Sequence, residues 1–230
     1  MQKLSLETII NQDLLEFKNC SNQHECETCE KQTCVMIVAI ADFPSQFGHF
    51  HIVGFVNNKD REEHIAIVKG DIIGKTKLLT RLHSSCLTGD ALGSLRCDCG
   101  PQLDHSLKMI EEEGAGVILY MQQEGRGIGL LNKLRAYALQ DNGFDTYDAN
   151  VALGFGADQR NYEVAGAMLE KLGVGSIRLI TNNPEKIKQV GEHIEIIERV
   201  PLDLPPTEYS LNYMQTKKQR FGHLLKIHSR

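Results

Sequence analysis

Three cysteines in the middle of the chain have the residue type and the spacing of a metal site. Ten residues separate Cys86 from Cys97, and one residue separates Cys97 from Cys99. Three thiolates can bind Zn²⁺ at about 2.3 Å and leave the fourth tetrahedral position to water, whose pKa the metal lowers to about 7. A structural zinc with His83 as fourth ligand and a group of three buried thiols are the alternatives, and the spacing alone leaves all three open.

A second group of cysteines lies near the N-terminus, in a stretch rich in Asn, Gln, Glu and Lys. Cys20, Cys26, Cys29 and Cys34 are separated by five, two and four residues. They could bind a second, structural zinc, with His24 as an alternate ligand. The spacing does not match the usual ferredoxin runs, which disfavours an iron–sulfur cluster. Independent free thiols are an equally weighted alternative, because the spacing is also irregular for zinc.

The composition indicates an ordinary globular protein with one sizeable domain, or a domain plus a small appendage. The chain has 230 residues, of which 41% are hydrophobic and 24% charged. Its net charge of −5 argues against a general nucleic-acid binder, although a few converging Arg and Lys side chains would suffice for one nucleotide. The longest apolar run, residues 35–41, is too short to span a bilayer, and no signal peptide is recognisable. We therefore expect a cytoplasmic protein that binds neither membrane nor nucleic acid.

The elements that must position these residues alternate between strands and helices along the chain. Apolar runs predict strands at 51–56, 64–68, 117–121, 176–181 and 194–200. Apolar residues at helical spacing predict helices at 102–113, 130–142, 161–172, from Pro184 onward, and 209–225. This order predicts an α/β fold, a mixed sheet with flanking helices and a more antiparallel N-terminal β portion.

Seven motifs in one order make the sequence similar to GTP cyclohydrolase II, the zinc enzyme that opens the guanine ring to begin riboflavin synthesis. The motifs are Arg81–Asp90, Ser94–Gly100, Gln123–Lys133, Arg135–Asp141, Leu153–Arg160, Leu179–Pro184, and Thr216–Lys217 with Gly222–Leu224. Together they are highly specific, whereas each alone is weak. The resemblance covers residues 48–226 and implies a catalytic domain there, with an N-terminal four-cysteine extension at 1–47 and a tail at 227–230.

The resemblance implies a reaction and its cofactors. GTP and water would give formate, pyrophosphate and 2,5-diamino-6-(5-phosphoribosylamino)pyrimidin-4(3H)-one. Cys86, Cys97 and Cys99 match the ligands of the family's single catalytic Zn²⁺. Mg²⁺ would accompany the triphosphate, and the chain would form a homodimer.

The resemblance also assigns three catalytic residues. Tyr137 matches a tyrosine that acts during ring opening, and Asp158 and Arg160 match a proposed base and nucleophile at the α-phosphorus. A guanidinium with a pKa above about 12 is a poor nucleophile, so an electrostatic clamp is an equally physical role for Arg160. Without the resemblance, Tyr137 would be interpreted as a core aromatic, and Asp158 with Arg160 as a solvated ion pair.

Further positions match substrate-binding residues of the family. They are Arg81, Leu82, His83, Ser84, Ser85, Gln102, Glu124, Gly125, Arg126, Thr146, Thr181 and Lys186. A carboxylate such as Glu124 could accept hydrogen bonds from the guanine N1–H and 2-amino groups. Arg126 and Lys186 are candidate phosphate partners.

Two positions depart from the family pattern. Ser85 stands where many relatives have Glu, and Gln122 stands where Arg is common; the first removes a charge beside the metal, the second a phosphate contact. Two other functions therefore stay open: a paralogous cyclohydrolase acting on another purine or pyrimidine, and a non-catalytic, zinc-stabilised GTP-binding protein.

Overall fold

The computed structural model describes residues 33–226. The predicted second metal site, with Cys20, His24, Cys26 and Cys29, lies outside the described residues, as does the tail at 227–230. Its fourth cysteine, Cys34, is described and has a free thiol. None of the helices described between residues 33 and 226 combines the length and apolar character needed to cross a bilayer.

Seven strands form one mixed sheet, which confirms the predicted fold class. The strands are β1 (Val35–Ser45), β2 (Gly48–Asn57), β3 (His64–Lys69), β4 (Leu78–Ser84), β5 (Gly116–Met121), β6 (Ile177–Ile180) and β7 (Ile196–Val200). Their spatial order is β1-β2-β3-β5-β4-β6-β7. The pairs from β1 to β3 and the pair β3–β5 are antiparallel, whereas β5, β4, β6 and β7 run parallel. The N-terminal portion is thus the antiparallel one, as predicted.

Two strands were not predicted from the sequence. In β4 six of seven residues are buried, so the polar-apolar alternation that identifies a one-sided strand is absent. β1 lies in the stretch assigned to the N-terminal extension, yet it pairs with β2 from Val35 to Ser45. The sheet therefore begins before the domain boundary predicted at residue 48.

Within the described residues, six α-helices flank the sheet. They are α1 (Cys99–Glu113), α2 (Leu130–Gln140), α3 (Thr146–Ala152), α4 (Glu163–Lys171), α5 (Pro184–Gly191) and α6 (Leu211–Arg220). The helix α3 was not predicted, because seven residues give too little periodicity. The helix predicted at 209–225 ends at Arg220, and Gly222 then adopts a left-handed φ of 66° that helical residues do not have.

Hydrophobic residues pack on both faces of the sheet. Ile118 and Leu119 are consecutive on β5 but belong to different clusters, since successive side chains of a strand point to opposite faces. Ile118 packs with Leu107 and Ile110 of α1, whereas Leu119 belongs with residues of α4 such as Met168. This packing fixes the parallel strands, and the chain leaves β4, β5 and β6 at the same edge of the sheet. Such an edge is the usual ligand-binding place of a parallel α/β sheet.

Candidate active site

The segments that follow β4, β5 and β6 bring the predicted site residues together. Ser85 and Cys86 follow β4, Glu124 to Arg126 follow β5, and Thr181 follows β6. Two adjoining cavities of about 610 and 590 Å³ lie between these segments. Both cavities are lined by Ser84, Cys99, Arg126, Arg160 and Tyr213, so they adjoin at shared walls and we describe them together as one site. We call its two halves the sulfur end and the basic end.

The sulfur end holds the three central cysteines. Within residues 33–226, Cys86, Cys97 and Cys99 form the one group of three or more His, Cys, Asp or Glu side chains close enough to share a metal ion, with Sγ atoms within 4.8 Å of one another. Cys86 and Cys97 are buried, and their Sγ atoms lie 3.7 Å apart. Three converging thiols with no disulfide among them fit a soft, tetrahedral ion such as Zn²⁺.

The backbone around the thiols is packed closely enough to require glycine. Residues Leu87–Ala91 form a single π-helical turn that passes over the cluster. A Cβ on Gly89 would lie 2.8 Å from Sγ of Cys97 and 3.1 Å from Sγ of Cys86. The neighbouring thiols, and after them Lys133, hold the pKa of Cys86 well below its usual range, although burial acts in the opposite direction. The site thus favours a thiolate, which is the form that binds a metal.

His83 lies beside the cluster but is not a member of it. Its Nε2 is 3.1 Å from both carboxylate oxygens of Asp90. Asp90 Oδ2 also accepts hydrogen bonds from the backbone N–H of Cys86 (2.9 Å) and from the hydroxyl of Tyr120 (2.8 Å). Burial lowers the pKa of His83, so the imidazole is neutral. This geometry gives His83 a polar partner other than the cysteines and does not favour a fourth-ligand role.

Lys133 connects the thiols to Glu124. Its Nζ lies 3.0 Å from Sγ of Cys86 and 2.7 Å from Oε1 of Glu124. Glu124 Oε2 accepts a hydrogen bond of 2.7 Å from the backbone N–H of Leu87. These contacts hold the carboxylate at the wall of the sulfur end.

Tyr137 lines the same half from α2. Its hydroxyl lies 3.4 Å from Oγ1 of Thr88, and burial raises its pKa to about 12. The guanidinium of Arg96 lies over its ring, 5.0 Å from the centroid. Tyr137 is therefore a protonated phenol at neutral pH and can donate a proton or a hydrogen bond.

The basic end collects cationic side chains from separate elements. Arg81, Arg126, Arg160, Lys186 and Lys217 all line it. Two carboxylates partly neutralise them: Asp98 accepts from Lys217 at 2.5 Å, and Asp158 forms a bidentate pair with Arg160 at 2.9 and 2.5 Å. Even with Lys186 left out, four cations against two carboxylates leave an excess of positive charge in a recessed space, which indicates an anionic ligand.

Lys186 has the least compensated of these charges. Its Nζ donates to the carbonyl oxygen of Leu82 at 2.8 Å and lies in no ion pair in the described part of the chain. Burial, and then the nearby Arg81 and Arg160, lower its pKa well below the ordinary value. An incoming anion would supply the partner that this ammonium needs to be charged.

Most predicted site residues line one half or the other. The exceptions are Leu82, which contributes its carbonyl while its side chain packs in the core, and Asp158, which lies behind Arg160. Ser85 is buried and its Oγ accepts from the backbone N–H of Gln123 at 3.2 Å, so the smaller side chain is accommodated. Gln122 is exposed and does not line either cavity, so its side chain is not aimed at the basic end.

Several residues that line the two cavities were not predicted from the sequence, among them Lys133, Asp98, Lys217 and His223. These four lie within the quoted motifs, and full or partial burial is what distinguishes them from solvated charges. A signal was present for Lys133, which follows three glycines of a motif at the start of a predicted helix. No spacing rule connects Asp98 with Lys217, which lie 119 residues apart.

Comparisons with known proteins agree with the motifs. The family model for GTP cyclohydrolase II matches residues 36–201. Riboflavin biosynthesis protein RibBA of Bacillus cereus (strain ATCC 14579) is 50% identical over 227 residues, which are 98% of this chain and 55% of that protein. RibBA of Bacillus cytotoxicus is 55% identical over 185 residues, 80% of this chain and 47% of that protein. The chain thus spans about half the length of the curated relatives it matches.

One solved structure is also similar in part. A crystal structure of RibBX, a two-domain 3,4-dihydroxy-2-butanone 4-phosphate synthase from A. baumannii, has a TM-score of 0.40 and 18% sequence identity. The match covers 73% of this chain and 41% of that chain.

Proposed function

Because the chain belongs to the GTP cyclohydrolase II family, as its motifs predicted, we propose that it hydrolyses GTP to formate, pyrophosphate and 2,5-diamino-6-(5-phosphoribosylamino)pyrimidin-4(3H)-one. The observation that carries the proposal is the single site with a thiol cluster at one end and excess positive charge at the other. A purine nucleoside triphosphate has the matching polarity, with a base to react at the sulfur end and phosphates to bind at the basic end.

The metal proposed for the sulfur end is one Zn²⁺ per chain, held by Cys86, Cys97 and Cys99. When bound, zinc supplies Lewis acidity for hydrolytic attack at the guanine C8. The other groups of the sulfur end that contact the base are side chains of the protein. Glu124, fixed by Lys133 and the Leu87 amide, accepts hydrogen bonds from the guanine amide edge.

Tyr137 is proposed to move the proton during ring opening. Breaking the imidazole C–N bonds requires a proton for the departing nitrogen, and a phenol that stays protonated at neutral pH can donate it. The hydroxyl is accessible from the sulfur end and has the hydroxyl of Thr88 as a neighbour at 3.4 Å. That neighbour can orient the phenol before the base arrives.

At the basic end, we assign Arg160 to an electrostatic clamp on the α-phosphate. Burial lowers the pKa of Arg160, but the nearby Tyr162 and the Asp158 carboxylate outweigh burial and raise it, so the guanidinium stays charged. A charged guanidinium has no lone pair for nucleophilic attack, but it stabilises negative charge on phosphoryl oxygens. Asp158 holds the guanidinium through two hydrogen bonds. Mg²⁺ is proposed to accompany the pyrophosphate leaving group.

The remaining sites are assigned by position. Arg81, His83, Gln102, Thr181 and Lys186 line the basic end, and Ser85, Gly125 and Thr146 line the sulfur end, with Ser84 and Arg126 at both. We propose that the first set binds the phosphates and the second set the nucleoside. Homodimer formation and a cytoplasmic location are further proposals that rest on the resemblance and the composition.

Anaerobic turnover of GTP with Zn²⁺ and Mg²⁺ tests the proposal, following formate, pyrophosphate and the pyrimidine together. All three products should appear, and Cys97→Ser should abolish formate. Cys34→Ser is the matched control, because its thiol is free and lies outside the cluster. Turnover of another nucleobase compound without formate from GTP would indicate the paralogous cyclohydrolase. Tight GTP binding without any product, from zinc-loaded protein, would indicate the non-catalytic binder.

A further inference from the structure

The C-terminal motif Gly222–Leu224 reaches the basic end through the segment that follows α6. After α6 ends, the left-handed Gly222 (φ 66°) reverses the chain. The backbone N–H of His223 donates to the carbonyl of Lys217 at 3.1 Å, and that of Leu224 donates to the carbonyl of Asn182 at 2.8 Å. Leu225 is buried. These contacts fix the backbone of His223 between α6 and the segment that follows β6.

His223 faces the cations of the basic end. The same cavity wall includes Lys217 from α6, Lys186 from α5, Arg126 after β5, Arg160 after α3 and Arg81 from β4. The carboxylates of this half are already engaged, since Asp98 pairs with Lys217 and Asp158 with Arg160. The pKa of His223 is lowered to about 2, first by burial and then by the positive charges of Lys217, Arg126, Arg160 and Lys186. In the free protein the imidazole is therefore neutral.

We propose that His223 is a substrate-binding residue that contacts the triphosphate tail and gains a proton as the tail binds. The inference rests on the proposed function, because it takes the ligand of the basic end to be a polyphosphate. A further permanent cation would be repelled by the positive charges already there. A histidine avoids that cost, since it acquires its charge only when phosphate oxygens offset the surrounding cations.

The sign of the pH dependence follows from this arrangement. Bound phosphate raises the pKa of His223 from its low value in the free protein toward or above the ordinary value of about 6.5. A group whose pKa rises on binding takes up protons, and binding is then tighter at low pH. The contribution of His223 to the affinity for polyphosphate, measured as the difference between wild type and a His223 variant, should therefore fall as the pH rises from 6 to 8.

The test is calorimetric titration of the zinc-loaded full chain with inorganic tripolyphosphate, at pH 6.0 and 8.0, in buffers of different ionisation enthalpy. The probe has no base, so it reports on the basic end alone. At pH 6.0 the wild type should take up about 0.8 proton more than His223→Asn. It should also bind about tenfold more tightly, because a charge-assisted hydrogen bond is lost in the variant. At pH 8.0 the difference should shrink to about twofold.

Two further variants make the outcome specific. His105→Asn, on the exposed side of α1, is the matched control and should behave as the wild type. His223→Lys supplies an amine of higher intrinsic pKa, which bound phosphate can keep protonated at both pH 6.0 and pH 8.0. It should therefore recover most of the affinity with a weaker pH dependence, and this recovery also shows that the variant is folded.

Two results would overturn the inference: equal proton uptake in wild type and His223→Asn, or no binding of tripolyphosphate to the wild type. Formate release from GTP is measured separately. Loss of formate with normal tripolyphosphate results would overturn the proposed function and leave the role of His223 in phosphate binding intact.

Discussion

The two ends of the site are built in different ways. The sulfur end takes its three thiols from fourteen consecutive residues, 86–99, and its polar groups are paired, as in the contacts of Lys133 with Glu124 and Cys86. The basic end takes its cations from positions between Arg81 and Lys217, and it holds more positive than negative charge. Under the proposed function, the difference teaches that a metal would complete the first end on a local scaffold, whereas an anionic ligand would complete the second.

Removing a thiol should have the largest effect, and that effect should be confined to the chemistry of the sulfur end. We expect Cys97→Ser to reduce formate release from GTP at least about 1000-fold, because the cluster loses a ligand. Tripolyphosphate binding should change less than about threefold, since the cations of the basic end remain. Formate assays and calorimetry on the same preparation measure the two effects. An equal loss of formate release and of tripolyphosphate binding would show that the two ends do not act independently.

The next effect should be confined to the basic end. Arg160→Lys keeps the charge but removes the bidentate pairing with Asp158, so pyrophosphate release should slow about 100-fold. Guanosine binding, which does not use the phosphates, should stay unchanged. Arg135→Lys is a suitable control, because Arg135 is exposed and bonds to Asn132 within α2. A stronger effect on guanosine binding than on pyrophosphate release would contradict the assignment of Arg160 to the phosphates.

A smaller effect is expected where the sulfur end depends on Lys133. Lys133→Met removes the donor shared by Cys86 and Glu124, and zinc affinity and kcat/KM for GTP should each fall about 10- to 100-fold. Competition with a zinc chelator measures the first and formate release the second. Lys188→Met on the exposed side of α5 is the matched control. Unchanged zinc affinity would mean that Lys133 serves Glu124 alone.

The smallest effect should come from crowding the thiols. Gly89→Ala would place a Cβ 2.8 Å from Sγ of Cys97, and we expect it to destabilise the zinc-loaded protein by about 1–3 kcal/mol. Gly93→Ala tests an open position, where nothing lies within 4 Å of the added Cβ, although its φ of 65° is itself strained. Urea unfolding of both variants measures the difference. Wild-type stability of Gly89→Ala would show that the turn over the cluster adapts without cost.

The same contrast explains what could be predicted from the sequence. Cys86, Cys97 and Cys99 are recognisable because a metal site needs a few residue types at short spacing, and the structure brings them together. Most of the strands could be predicted because apolar runs are local. β4 could not, since burial on both faces removes its alternation.

The basic end was predictable only in part. The resemblance supplied Arg160 and Lys186. Lys217 reaches the cavity from within α6, and His223 reaches it through a turn at Gly222 that ends a helix predicted to continue. The pairing of Asp98 with Lys217 depends on tertiary packing, on which residue type and spacing carry no information. Long-range charge clusters therefore required the structure.

The most direct test of the central claim, that one site acts on both ends of one GTP molecule, is a single turnover with enzyme in excess over GTP. The account predicts that formate and pyrophosphate are released in a one-to-one ratio, with the pyrimidine monophosphate as the remaining product. Pyrophosphate accumulating without formate in zinc-loaded protein, or formate without pyrophosphate, would contradict it.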